Sequence, residues 1–136
     1  MCLMDDADGC VDTIESGNYY TARKAHKCAE CYRQIDAGER YHREVYVFEH
    51  RFTVHKTCAH CMVVREWLLG ECGGWIYGAV EEDAREHCDG QGYGMDLYRA
   101  VVGMRHNWRR KNGTLLPIPG PISTSDERLR ARETQR

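Results

Sequence analysis

The chain has 136 residues, 29% of them charged and 42% hydrophobic, with a net charge of −2, which points to one domain with room for an extra arm. No apolar run of about 18 residues occurs, so a membrane-spanning helix is excluded, and a core of this size often needs a covalent or metal staple. The charge is uneven: residues 105–136 carry eight basic and three acidic residues, a net of +5, which leaves −7 on residues 1–104.

Residues 1–25 begin "MCLMDDADGC", without the basic start and apolar stretch of a secretory leader, so a cytoplasmic location is expected. "DDADG" is too short for a calcium loop and lacks its closing Glu. This segment reads as an acidic, loosely ordered arm, with "YYTAR" at 19–23 adding an edge strand.

Residues 26–72 form the most informative stretch. Cys28-x-x-Cys31 opens it, and the segment that follows is rich in Tyr, Val, Phe and Thr with period-2 alternation. Tyr41, Val45 and Val47 fall on one face of a strand, and His42, Glu44, Tyr46 and Phe48 on the other. A turn near residues 49–51 would return residues 52–55 as a second strand. "KTCAHCMVVREWLLGE" then reads as a helix with Thr57 as its N-cap, ended by the Gly pair of "ECGGW".

Residues 73–111 read as a helical extension. "WIYGAVEEDAREHC" places Trp75, Ile76, Ala79, Val80 and Ala84 on one stripe, expected to pack on Trp67 and Leu68. After "DGQGYG", residues 95–111 make a third helix. Residues 112–136 contain three prolines and end in a charged run, read as an extended segment and a flexible basic tail.

The eight cysteines are Cys2, Cys10, Cys28, Cys31, Cys58, Cys61, Cys72 and Cys88. In a reducing compartment, clustered cysteines bind metal more often than they pair. Cys28-x-x-Cys31 is answered 26 residues on by Cys58-x-x-Cys61. A single redox C-x-x-C would sit near a βαβ pattern, which the surrounding sequence lacks. Two such pairs supply four thiolates, which close a tetrahedron around one structural Zn2+ and leave no open position. His26, His55 and His60 lie beside the cysteines and are alternative ligands. Cys10, Cys72, Cys88 and His87 have irregular spacing and are the candidates for a second metal.

Knuckle, hairpin and a helix whose first turn donates the last two ligands make a treble-clef arrangement in an α+β fold, followed by two or three packed helices. "CAECYRQIDAGERY" and "TCAHCMVVREWLLGECGGWIYGAVEED" resemble a group of small treble-clef zinc proteins of phages and bacterial genomes. The shared pattern is C-x-x-C-x-x-x-I-x-x-G-E-x-Y, then T-C-x-x-C and two helices, and it covers about residues 26–90. The resemblance implies the fold and the zinc site. It is not tied to one activity.

Three functional classes are compatible with these residues. The first is a non-enzymatic binding protein, stabilised by zinc, whose phage-like context implies a host or phage protein as partner. The second is a nucleic-acid binder. It would use "RHNWRRK" (Arg105, Trp108, Arg109, Arg110, Lys111) together with Arg33, Arg40, Arg43, Arg51 and Lys56, with Tyr46 and Phe48 for stacking. The third, an enzyme of the His-metal nuclease type, would need His50 or His55 and an orienting Asn between them, which is missing. The first is the expectation, with no enzymatic activity.

Overall fold

The computed structural model describes residues 11–48, 50–88 and 94–134, with backbone alone for 11–16 and 48. The chain runs β1 (Val11–Thr21), β2 (His26–Lys27), β3 (Gln34–Ile35), β4 (Arg40–Phe48), β5 (Arg51–Cys58), α1 (Ala59–Cys72), α2 (Val80–Cys88), α3 (Met95–Arg105) and α4 (Ser125–Thr134). The fold is α+β, as the sequence implied. An antiparallel sheet has the order β1-β4-β5, and β2 and β3 form a separate two-stranded ribbon.

The β4–β5 hairpin follows the alternation read from sequence. Glu44 pairs with His55, Val45 with Val54 and Val47 with Phe52. His42, Glu44 and His55 face α1, whereas Val45, Val47, Phe52 and Val54 face away from it. His50 takes φ 64 in the turn. The returning strand is longer than expected because β5 runs into Cys58 without a break. Of the expected acidic arm, residues 1–10 lie outside the described residues. Residues 11–21 form a full edge strand on β4, with register shifts between Thr13 and Glu15 and between Glu15 and Asn18.

Four boundaries differ from expectation, each because of an identifiable turn or contact. The N-cap of α1 is Cys58, whose sulfur accepts from the Cys61 N–H. Thr57 is still in the strand, and its hydroxyl accepts from Arg65 Nη1 at 3.3 Å. The second helix starts at Val80 rather than Trp75, because Gly78 turns at φ 82. The Glu30 carboxylate then accepts from the N–H of Gly78 at 3.1 Å and of Val80 at 3.5 Å, so the cap comes from 50 residues upstream.

The third helix ends at Arg105, not 111. Asn107 and Trp108 adopt left-handed backbone (φ 56 and 57), and the Trp108 N–H returns to Gly103 O at 2.7 Å. Trp108 folds back over Gly103, where a Cβ would sit 2.4 Å from the indole. The tail, expected to be flexible, is helical over α4. None of its residues is buried, and Ser125 ties it to Glu71 by bonds of 2.9 and 2.6 Å.

The apolar core joins Ile35 and the cysteines to Val64, Trp67, Leu68, Val80, Ala84, Leu97, Val101, Met104 and Trp108. Each large side chain contributes about 1.5–3 kcal/mol by leaving water. Between the sheet and α1 lies a polar layer. Arg65 is buried in an ion pair with Glu44, 4.2 Å from the Trp75 ring and 5.1 Å from the Tyr77 ring. Tyr77 donates to Glu44 at 2.8 Å and stacks on Tyr46 at 4.1 Å. His55 meets Glu30 at 3.2 Å.

Removing one charge of a buried pair leaves the other without compensation. Arg65→Ala should therefore lower the unfolding free energy by about 3–5 kcal/mol in urea denaturation. Combining Arg65→Met with Glu44→Leu, which removes both charges, should recover most of that loss.

Candidate metal centre

Cys28 and Cys31 sit on the loop between β2 and β3. The Cys28 N–H donates to Arg33 O at 2.9 Å, and the Tyr32 N–H to Cys28 O at 3.0 Å, with Tyr32 at φ 64. Ala29 N–H bonds to Lys56 O at 2.8 Å and ties this knuckle to β5. Cys58 ends β5 and Cys61 lies in the first turn of α1. Strand, helix and knuckle thus deliver two sulfurs each way to one point.

All four cysteines are buried, and their sulfurs lie within 4.8 Å of one another. Cys31 Sγ and Cys58 Sγ are 3.9 Å apart. Metal–sulfur bonds of about 2.3 Å in a tetrahedron would put the sulfurs about 3.8 Å apart, so the spacing fits an ion at the centre. The surrounding donors also fit thiolates. Cys28 Sγ accepts from the Cys58 N–H at 3.3 Å, Cys58 Sγ from the Cys61 N–H at 3.4 Å, and Cys61 Sγ from Trp108 Nε1 at 3.3 Å. The N-terminus of α1 adds its positive end.

The sulfurs do not share charge equally. The Cys31 thiol beside it brings Cys28 down to about 7, hydrogen bonds from Cys28, Cys31 and Cys61 pull Cys58 down, and burial pushes Cys61 up. An ion bound here would displace the remaining protons. With four sulfurs and no open position, such an ion holds structure and does not bind substrate.

The neighbouring histidines are committed elsewhere. His60 Nε2 donates to Leu116 O at 2.6 Å, which leaves Nδ1 to accept from Arg33 Nη2 at 3.3 Å. His55 pairs with Glu30, and His26 Nδ1 meets Lys56 Nζ at 3.2 Å. Arg33, a candidate phosphate contact from sequence, is buried. Its guanidinium forks onto Glu39 at 2.8 and 3.1 Å. Burial opposes the charges of this pair. The Glu39 hydrogen bonds nevertheless raise Arg33, and Arg33 in turn lowers Glu39. Tyr46 is likewise taken, by Tyr77, and nothing of the Phe48 side chain is described.

The basic stretch 105–111 divides. Arg105, Arg110 and Lys111 are exposed, and Arg109 reaches Asp36 at 3.6 Å. Trp108 is only 3% exposed, so it is a wall of the metal centre and offers no stacking surface. Sequence reasoning missed this role, and the roles of Glu30 and Glu39. The Gly38-Glu39 pair of the resembling pattern was the available signal: Gly38 turns at φ 94, and Glu39 binds back to the Asp36 N–H at 2.6 Å.

Cys28→Ser and Cys58→Ser should each lose the ion, measured by elemental analysis, and melt the hairpin, measured by circular dichroism. His60→Ala should keep the ion. Chelation should shift the emission of Trp108 as its sulfur contact is lost.

Comparison with known protein families, with curated proteins and with solved structures finds no match to this chain, so the reading of the centre rests on its own geometry.

Proposed function

We propose that the chain is a non-enzymatic binding protein, stapled by one structural Zn2+ at Cys28, Cys31, Cys58 and Cys61, which docks another protein on the outer face of its sheet. Zinc is the ion that a buried, closed set of four thiolates suits best. The observation that carries the docking role is the exposure of Phe52 (75%) and Val54 (46%) beside half-buried Val45 and Val47. The inner face of the same sheet is filled by α1 and the Trp75–Tyr77 loop. An apolar patch held rigid by a metal, with Arg43 and Lys56 paired beside it on the same face, has the composition of an interface core with a basic rim. The resemblance to small phage and bacterial treble-clef proteins supports a host or phage protein as the partner.

A second reading, nucleic-acid binding, keeps one specific support. Tyr32 is 63% exposed, with Lys27 Nζ 5.4 Å from its ring centre, next to exposed Lys24. The burial of Trp108 removes the stacking residue that the sequence suggested for this role.

Photo-crosslinking from position 52 should capture a defined protein partner that survives nuclease treatment. Phe52→Asp should weaken that partner at least tenfold, while zinc content and melting temperature stay unchanged. Retention of the partner by Phe52→Asp would overturn the docking face. Capture that is lost with nuclease and falls steeply with salt would favour the second reading.

A further inference from the structure

A second set of metal donors converges at the opposite end of α1. Cys72 is the last residue of α1, and Asp83 and His87 stand one turn apart on α2, so all three meet where the two helices abut. One ligand atom from each lies within 4.8 Å of the others. Asp83 is 1% exposed and His87 6%.

The imidazole is aimed. His87 Nδ1 lies 2.7 Å from the Asp83 backbone carbonyl, which can only accept, so Nδ1 carries the proton. Nε2 then presents its lone pair towards Cys72 Sγ at 3.5 Å. Metal-binding histidines are oriented by this kind of bond on the other ring nitrogen. The Asp83 carboxylate adds a 3.3 Å contact to Nδ1, and Trp67 packs edge-on against the ring at 5.2 Å, which holds its plane.

We propose that Cys72, Asp83 and His87 form a second metal site, which takes a Zn2+-class ion when Cys72 is a free thiol. The donor set of one sulfur, one nitrogen and one carboxylate oxygen suits zinc or cobalt and not calcium or magnesium. Three protein ligands leave a fourth position, unlike the closed centre of four cysteines. Cys72 is disulfide-bonded in this structure, so oxidation and metal binding compete for one sulfur. A low-molecular-weight thiol reductant would split the S–S bond. Two such thiol groups are consumed: together they give up two electrons and two protons, join as a disulfide and leave two protein thiols. The ion then displaces the proton of the Cys72 thiol.

The test uses the full chain, kept reduced, stripped of metal and titrated with Co2+, with native mass spectra recorded after Zn2+ addition. Two ions per chain are expected, the second without the spectrum of a four-thiolate centre. Prior oxidation should leave one ion and lower the protein mass by the two hydrogens of a disulfide. Asp83→Asn, which keeps the side-chain shape, should weaken the second ion at least tenfold and leave the first in place. His87→Ala should abolish it. If His87→Ala loses both ions through misfolding, Asp83→Asn decides alone. A single ion in the reduced wild-type chain, or a second ion held equally well by Asp83→Asn, would overturn the site.

Discussion

Four sulfurs from two segments separated by 26 residues have to meet at one point, and most of the architecture is the means of bringing them there. A knuckle alone cannot do this, because its loop has no core of its own. It is stitched to β5 by the Ala29–Lys56 backbone bond. The hairpin then sets how far the second pair lies from the first. α1 starts on a cysteine because the last strand residue and the helix cap are the same residue, Cys58. That economy removes any linker between strand and helix, so strand direction and helix direction are locked together at the cysteine cluster.

The polar layer between sheet and helices does the same work at the other side of the hairpin. Glu30 leaves the knuckle, meets His55 on β5 and caps the start of α2. Glu44 on β4 holds Arg65 of α1 and Tyr77 of the following loop. Two carboxylates from the metal module thus position the helical extension. Buried charges are costly unless every partner is in place, so this layer favours one arrangement of the two halves over others of similar apolar burial.

Elements with a repeating pattern were legible from sequence: the alternation of β4 and β5, the helix that begins at the second C-x-x-C, and the two C-x-x-C pairs. What failed was decided by contacts far apart in the chain. Nothing near Trp75 says that Glu30 will cap the helix at Val80 instead. Nothing in "RHNWRRK" says that Trp108 will leave its basic neighbours and lie on Cys61. In both cases local propensity favoured a longer helix and a distant polar group or sulfur overrode it. The convergence of the four cysteines was readable because a shared ion would constrain their spacing. The buried pairs Arg33–Glu39 and Arg65–Glu44 were not, because charged residues in sequence look alike whether they face water or a partner.

The placement of Trp108 and His60 also bears on rates. The segment after α3 lies across the metal centre, with the indole on Cys61 Sγ and His60 bonded to Leu116 O. This strap covers Cys61 and would hinder an incoming chelator or ion from that side. Exchange of an ion held there would therefore depend on local opening of the C-terminal segment as well as on the affinity of the thiolates. A cut or a bound partner that loosened residues 108–116 would speed the loss of the ion without touching any ligand.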